Sequence, residues 1–264
     1  MLRVSNLHIT FNAGTPIENH ALRGLSLNIE SGQFVTVIGS NGAGKSTLLN
    51  AVSGDQPVDS GTIELDDADV TGLPVWKRAK LVARVFQDPM AGTCEDLTIE
   101  ENLSLAYDRG GRRGLSRAVR QAMRSEFAER LAVLGLGLET RLADRIGLLS
   151  GGQRQAVSLL MATLQPSRIL LLDEHTAALD PRTAAFVLEL TQRIVSEKRL
   201  TTLMVTHSMR QALDVGDRTV MLHEGRVVLD VSGDERKGLG VVDLLAMFER
   251  VRGEAVADDG LLLG

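Results

Sequence analysis

The sequence contains little cysteine, few aromatic residues and no long apolar run, and each shortage excludes a class of protein. Its one cysteine, Cys94, can form neither an intrachain disulfide nor, alone, a zinc site, which is typical of a reducing compartment. One Trp, one Tyr and six Phe argue against a base-stacking surface for single-stranded nucleic acid. Apolar runs such as Ile169–Leu172 are too short to span a bilayer. A membrane role would therefore depend on a partner.

Charge and length narrow the class further. The chain has 264 residues and a formal net charge of −5, which argues against a protein whose main partner is a phosphate backbone. We therefore expect no nucleic-acid partner. No basic segment followed by an apolar one opens the chain as a signal peptide would. The length fits one large α/β domain, or a core domain with a smaller lobe.

One glycine-rich stretch, residues 39–47, organises the rest of the chain. It follows the apolar run Phe34–Ile38, which predicts a buried strand, and it precedes Leu48–Val52, which predicts a helix. A strand, a glycine-rich turn and Lys-Ser-Thr at the start of a helix are the context of a phosphate-binding loop. The predicted nucleotide-binding residues of this loop are Gly39, Ser40, Asn41, Gly42, Ala43, Gly44, Lys45, Ser46 and Thr47.

The chemistry of this loop points to a nucleoside triphosphate with Mg²⁺. Glycines let successive N–H groups point at an anion, and the helix N-terminus adds unpaired donors. Lys45 offers a mobile cation for the outer phosphates, and the Ser46 hydroxyl is a hard oxygen ligand suited to Mg²⁺. The structural alternative is a plain turn with a capping serine, which does not explain why every fixed position of the motif is filled.

Alternation of apolar strands with helices predicts an α/β fold with a mostly parallel sheet. With the phosphate-binding loop, this fold resembles the core of a P-loop NTPase. The strand-rich N-terminal part predicts an antiparallel β subdomain. We expect one domain over residues 1–252, with a core of 1–87 and 166–252 and an inserted all-helical lobe over 88–165. Residues 253–264 are expected to form a mobile tail.

Several local elements are predicted within this plan. Leu2–Val4 and Leu7–Phe11 are expected as two strands, and Pro74 as the first residue of a short helix that carries Trp76. Thr98 is expected to start a helix through a capping box. Residues 116–134 are expected to form a long amphipathic helix.

A second chemical motif lies where an apolar strand, Ile169–Leu172, ends in two carboxylates. Asp173 and Glu174 would lie at the carboxyl edge of the sheet beside the phosphate loop. Asp173 is suited to hold Mg²⁺, and Glu174 to polarise an attacking water as a general base. The structural alternative is an acidic strand end at a turn.

A third motif precedes this strand by about twenty residues. Its residues are Leu149, Ser150, Gly151, Gly152 and Gln153. A serine and two glycines that open a helix make an anion site, although a simple N-cap by the serine is the structural alternative. These five residues spell LSGGQ, the signature of the ATP-binding subunits of ABC transporters. The chain resembles such a subunit over nearly its whole length, because the phosphate loop, the signature and the Asp-Glu strand follow one another in the family's order.

The resemblance implies roles for four further residues. Gln87 is similar to the Q-loop glutamine that contacts Mg²⁺ and water, and Asp180 to the D-loop aspartate that contacts the second subunit. His207 is similar to the switch histidine that contacts the γ-phosphate. Phe11 resembles the aromatic residue that stacks on adenine, where the family more often has Tyr. The structural alternatives are a loop Gln, a helix cap, a core His and a core Phe.

The sequence departs from the family pattern at His175, where the family usually has Pro, and at Ala177-Ala178, which replaces a version with Ser. A loop histidine is the simpler interpretation of His175. The basic stretch from Arg109 to Arg124 is interpreted as a solvated face, with contact to a partner or to lipid headgroups as the alternative.

The resemblance implies an ATPase that energises a membrane transporter by head-to-tail dimer closure on ATP. Expected partners are a second copy or a paralogous ATPase, integral-membrane permease subunits and an extracytoplasmic solute-binding protein, with the chain bound peripherally at the cytoplasmic face of the inner membrane. Import of an amino-acid-like solute is the preferred interpretation. An exporter of the lipoprotein-release type and a soluble non-transport ABC ATPase are the alternatives. A P-loop kinase would explain neither the signature, nor Gln87, nor His207.

Overall fold

Two β-sheets and the helices around them form the fold in the computed structural model, which describes residues 1–111 and 121–252. The strands are β1 (Leu2–Phe11), β2 (Asn19–Ile29), β3 (Phe34–Ile38), β4 (Ser60–Leu65), β5 (Ala68–Asp69), β6 (Val82–Val85), β7 (Ile169–Asp173), β8 (Thr202–Val205), β9 (Arg218–His223) and β10 (Arg226–Ser232). The helices are α1 (Lys45–Ser53), α2 (Val75–Arg78), α3 (Ile99–Tyr107), α4 (Gln121–Ala132), α5 (Gly151–Thr163), α6 (Pro181–Lys198), α7 (Met209–Asp214), α8 (Gly233–Arg236) and α9 (Val241–Arg252).

The first sheet is antiparallel and has the order β2-β1-β4-β5. Its strands alternate buried and exposed residues, as expected for a sheet that packs on one face. The prediction of two strands before Phe11 is wrong, because β1 is one strand that pairs with β2 from Leu2 onward. The register shifts between Val4 and Leu7, where Asn6 adopts a positive φ of 48°. A β-bulge therefore replaces the predicted break.

The second sheet has the order β10-β9-β3-β8-β7-β6 and is parallel except for the edge strand β10. Residues of β3 and β8 are buried throughout, because helices cover both faces of this sheet. The carboxyl ends of β3, β7 and β8 lie side by side at one edge. The segments that follow these three strands begin at Gly39, Glu174 and Thr206, so that the predicted motifs meet at this edge.

The described residues between β6 and β7 form α3, α4, α5 and two short 3₁₀ turns, Leu138–Thr140 and Ile146–Leu148. Thr98 caps α3 through the predicted capping box. Side chains such as Leu103 and Phe127 share one apolar cluster with Leu170 and Met204 of the sheet. The helical segment is thus packed onto the sheet rather than held apart from it.

The predicted helix over 116–134 is described only as α4 and the residues after it, since 112–120 lie outside the described residues. The tail 253–264 also lies outside them. Pro74 is not the first residue of α2 but its N-cap, with an extended ψ of 156°. None of the helices in the described part of the chain is long and apolar enough to cross a membrane.

Candidate functional site

The phosphate loop joins β3 to α1, and its glycines are required by close backbone approaches. A Cβ on Gly39 would lie 2.3 Å from the carbonyl oxygen of Leu222, and one on Gly44 would lie 2.7 Å from that of Ala21. Both glycines also have positive φ angles, 150° and 100°. The turn between β9 and β10 supports the loop, because the N–H of Gly225 donates to the Ala43 carbonyl over 3.1 Å. No side chain caps the N-terminus of α1, which fits an anion site there.

Lys45 lies inside this loop and is 7% exposed. Its ammonium donates to the carbonyl oxygens of Gly39 and Ser40 over 2.7 and 3.1 Å. Burial lowers the pKa of Lys45, and the negative charges of Glu174 and Asp173 oppose that shift. The loop, the cation and the two carboxylates at the end of β7 therefore form one electrostatic site.

Glu174 and His207 meet at the ends of β7 and β8. The His207 Nδ1 lies 3.3 Å from the Glu174 Oε2, and the two side chains are 45% and 20% exposed. The backbone N–H of Glu174 donates to the Val205 carbonyl over 3.0 Å, so that the residue is anchored to β8. Glu174 has a positive φ of 42°, a conformation that costs free energy for a residue other than glycine. This geometry holds one carboxylate and one imidazole at the mouth of the phosphate loop.

Asp173 is bound by a residue that the sequence motifs did not reveal. Arg84 donates from Nη2 to the Asp173 Oδ2 over 2.6 Å. Arg84 lies in β6, which pairs with β7, and its side chain is 12% exposed. The sequence does contain one indication of this pair. Arg84 is the only charged residue in the apolar strand β6, and an arginine that is nearly buried requires a partner.

His175 lies in the turn after β7, as the interpretation as a loop histidine requires, but its side chain is buried. Its Nε2 lies 2.9 Å from the Thr191 Oγ1 of α6, and that hydroxyl donates its proton to the Val187 carbonyl. The Nε2 therefore carries the proton, and Nδ1 has no hydrogen-bond partner. Burial lowers the pKa of His175 to about 4, so that the ring is neutral at pH 7. The side chain thus ties the segment after Glu174 to α6.

The signature residues open α5 and form their own cap. Ser150 Oγ accepts from the Gln153 N–H over 3.3 Å, and Gln153 Oε1 accepts from the Ser150 N–H over 3.1 Å. A Cβ on Gly152 would lie 2.0 Å from the Thr183 Cγ2 of α6, so that this glycine allows the two helices to approach. The structural alternative of an N-cap is correct for Ser150, and its hydroxyl proton is still available to a second acceptor.

The other predicted site residues lie apart from this cluster. Asp180 caps α6 by accepting from the Thr183 N–H over 3.1 Å. Gln87 is exposed just after β6, and Phe11 packs at the edge of the core cluster under the first sheet. Leu149 is buried and Gly151 is exposed. Within the described ranges, no hydrogen bond or ion pair joins the signature loop to the phosphate loop.

The residues present fit a magnesium ion that a nucleotide helps to bind. In the described part of the chain, no three side chains of His, Cys, Asp or Glu form a cluster that could hold a metal by themselves. Ser46, Gln87 and Asp173 offer hard oxygen donors, and Mg²⁺ commonly combines one or two carboxylates with substrate phosphates. Ser46 is exposed in the first turn of α1, directly after Lys45.

A phosphate loop, an Asp-Glu strand end and a nearby histidine on a parallel sheet define a P-loop nucleoside triphosphatase. Residues 22–177 match the sequence model described as "ABC transporter". The chain belongs to the ABC transporter family. It is an ATP-hydrolysing, ATP-binding transporter subunit. The matched range includes the phosphate loop, Gln87, the signature and Glu174, whereas Asp180 and His207 lie beyond it.

Relatives and solved structures agree with this assignment. The chain is 48% identical, over 94% of its length and 99% of the relative's, to a tyrosine transport ATP-binding protein of Clostridioides difficile (strain R20291). It is 34% identical, over 84% of its length and 90% of the relative's, to the thiamine import ATP-binding protein ThiQ of Escherichia coli (strain UTI89 / UPEC). Among solved structures, it is similar to a dimeric ATP-binding cassette bound to ADP and Pi. The TM-score is 0.75 and the identity 28%, over 88% of this chain and 98% of that one. It is also similar to an ADP-bound ATP-binding cassette of an ABC transporter, with a TM-score of 0.77 and 25% identity, over 96% of this chain and 99% of that one.

Proposed function

We propose that this chain drives the import of an amino-acid-like solute by closing head to tail with a second copy of itself on ATP. The observation that carries the proposal is the incomplete cage at the edge of the parallel sheet. Lys45, Glu174 and His207 converge there, whereas the signature loop is capped on a separate helix. The similarity to a thiamine import protein favours import over export, and the similarity to a tyrosine transport protein supports an amino-acid-like solute.

Each side chain of the cage has a chemical task in this proposal. The N–H groups of the phosphate loop and Lys45 bind the phosphates of ATP. Phe11 stacks on the adenine. Mg²⁺, when held by Ser46, Gln87 and Asp173, neutralises phosphate charge. Glu174 accepts a proton from the attacking water, and His207 orients that carboxylate and contacts the γ-phosphate.

The second subunit completes the cage through its signature loop. Ser150 accepts a hydrogen bond from its own helix, and its hydroxyl proton is free to donate to a phosphate oxygen of the partner's ATP. The γ-phosphate thereby joins two incomplete anion sites, and hydrolysis removes the charge that joins them. Asp180, at the start of α6, faces the same junction in this arrangement.

A groove beside Gln87 is the proposed contact for the permease. Its cavity of about 320 Å³ is lined by residues that include Phe86, Cys94, Leu105 and Arg109. A neighbouring cavity of about 600 Å³ shares Leu105 and Arg109 and is lined by Trp76 of α2. The side chain of Trp76 is 68% exposed. Through this surface the chain would sit at the cytoplasmic face of the inner membrane, in a system that also uses a solute-binding protein.

The experiment that tests closure uses Glu174→Gln, which keeps the shape of the side chain and removes the base. We expect this variant to bind ATP, to lose nearly all turnover and to sediment as a dimer with ATP but as a monomer with ADP. The matched control is the double variant Lys45→Ala with Glu174→Gln, which should remain monomeric with either nucleotide. A Glu174→Gln protein that hydrolyses ATP normally, or stays monomeric with ATP, contradicts the proposal.

The direction of transport needs a separate test. Cells that carry the chain together with its permease and binding protein should accumulate labelled tyrosine. The same cells with Glu174→Gln should not accumulate it. Loss of labelled tyrosine from preloaded cells, in place of uptake, would support the exporter alternative.

A further inference from the structure

We propose that Arg84 is a positioning residue that fixes the Asp173 carboxylate so that it can bind the metal of the nucleotide complex. This inference rests on the metal site of the proposed function and extends it to a residue outside the family motifs. Arg84 lies three residues before Gln87 and on the strand next to Asp173. It therefore contacts one proposed metal ligand and lies close in the chain to another.

The contacts of Arg84 join the end of β7 to the helix that follows the phosphate loop. Its Nη2 donates to the Asp173 Oδ2 over 2.6 Å, and its Nη1 donates to the Asn50 Oδ1 over 2.7 Å and reaches the Asp55 Oδ2 at 3.1 Å. Asn50 belongs to α1, and Asp55 follows its end. One guanidinium thus bridges the two elements that carry Ser46 and Asp173.

The plane of the guanidinium is itself restrained. It lies over the ring of Phe86 at 4.7 Å from the centroid. The carbonyl of Phe86 accepts a hydrogen bond from the Gln155 Nε2 over 3.1 Å, and Gln155 is fully buried in α5. Because Nη1 is bound to Asn50 and the plane lies over Phe86, Nη2 reaches the Asp173 carboxylate from one direction, whereas a lysine ammonium has no such planar orientation. The geometry therefore points to orientation rather than charge as the role of Arg84.

The two possible roles predict opposite effects on the metal. If Arg84 acts by its charge alone, its removal takes a cation away from Asp173, and a divalent metal should bind more tightly. If Arg84 orients Asp173, its removal should weaken metal binding, because residues that support a metal ligand contribute about tenfold or more in affinity. Metal-free nucleotide binding depends on the loop and Lys45 and should be unaffected.

The test is a titration of the ADP-loaded protein with Mn²⁺, followed by electron paramagnetic resonance. We expect Arg84→Met to raise the Mn²⁺ Kd about tenfold and Arg84→Lys to raise it about threefold or more. The Kd of ADP in EDTA should stay within about twofold in both variants. The matched control is Asp55→Asn, which weakens the outer contact to Arg84 at a 46% exposed side chain, together with a hydrogen bond from the Ser53 hydroxyl, and should keep the wild-type Mn²⁺ Kd.

Three results would overturn the inference. They are an Arg84→Met protein that binds Mn²⁺ as tightly as wild type or more tightly, an Arg84→Lys protein with wild-type affinity, and an Asp55→Asn protein as impaired as Arg84→Met. Should Arg84→Met fail to fold, Arg84→Lys decides alone, because it keeps the charge and removes the fork. A wild-type protein that binds Mn²⁺ no better with ADP than without it would instead overturn the proposed metal site, and the inference with it.

Discussion

Lys45 concentrates positive charge where the phosphates of ATP are expected, and its ammonium is already desolvated by the loop. A hydrogen bond to a charged group contributes about 1.5–3 kcal/mol, so that Lys45→Ala should raise the Kd of ATP by about 10- to 100-fold. Equilibrium binding of a fluorescent ATP analogue measures this change. Lys77→Ala, at a lysine stacked over Trp76, is the control and should bind ATP normally. Unchanged ATP affinity in Lys45→Ala would refute the phosphate-loop assignment.

His175 makes the stability of the fold depend on pH in one direction. Its pKa is about 4 in the folded protein and 6.5 in the unfolded chain, so that the unfolded state binds more protons between these values. The contribution of His175 is complete above pH 6.5 and is lost as the pH falls toward 4. At pH 5 we expect a loss of about 2 kcal/mol in the free energy of unfolding.

Urea unfolding at pH 7 and pH 5, without nucleotide or metal, measures this loss. His175→Gln can keep a hydrogen bond to Thr191 and does not titrate. The variant should therefore lose less stability than the wild type over the same interval, and the comparison removes the effect of carboxylates that titrate there. Equal losses in both proteins would show that the ring of His175 is not buried as described.

At the scale of elements, the approach of α5 to α6 depends on Gly152. A methyl group there would lie 2.0 Å from the Thr183 Cγ2, which is too close for any side chain. Gly152→Ala should therefore lower the free energy of unfolding by about 1–3 kcal/mol through overpacking. Thermal or urea unfolding measures this change without reference to ATP.

A second substitution separates this packing effect from other consequences of Gly152→Ala. Thr183→Ser removes the methyl group and keeps the hydroxyl, so that adding it to Gly152→Ala should restore most of the lost stability. If the double variant is no more stable than Gly152→Ala, the clash with Thr183 is not the cause.

The sequence predicted those elements that carry a local signal. The phosphate loop, the strand ending at Asp173 and the capping box of Thr98 all follow from short-range chemistry, and the structure has each of them. The bulge at Asn6 could not be predicted in this way, because its register is set by pairing with β2.

Contacts between elements could not be predicted from local sequence patterns either. The pair formed by Arg84 and Asp173 joins residues that are 89 positions apart in the chain. The burial of His175 depends on Thr191 of α6, and the packing at Gly152 depends on Thr183. Long-range packing decides such contacts, and no motif of neighbouring residues records them.

At the scale of the whole molecule, the proposed dimer makes each active site a product of two chains. A head-to-tail pair places the phosphate loop of one subunit against the signature of the other. Two inactive variants should then restore activity when mixed, provided that their defects lie in different halves of the site. Lys45→Ala damages the phosphate-loop half, and Ser150→Arg damages the signature half.

An equal mixture of Lys45→Ala and Ser150→Arg should hydrolyse ATP faster than either variant alone, because each mixed dimer has one intact site. The matched control is a mixture of Lys45→Ala with Glu174→Gln, whose defects lie in the same half, and it should stay inactive. ATPase rates at several protein concentrations measure both. Equal activities of the two mixtures would contradict the composite site.

Trp76 stands beside the proposed permease groove and is the only tryptophan in the sequence. All indole fluorescence of the protein therefore arises from one exposed position. Lys77 lies 5.2 Å from its ring centroid, and Leu105 and Arg109 line the same cavity. The wavelength of maximum emission therefore reports on the surroundings of the proposed permease groove without any engineered label.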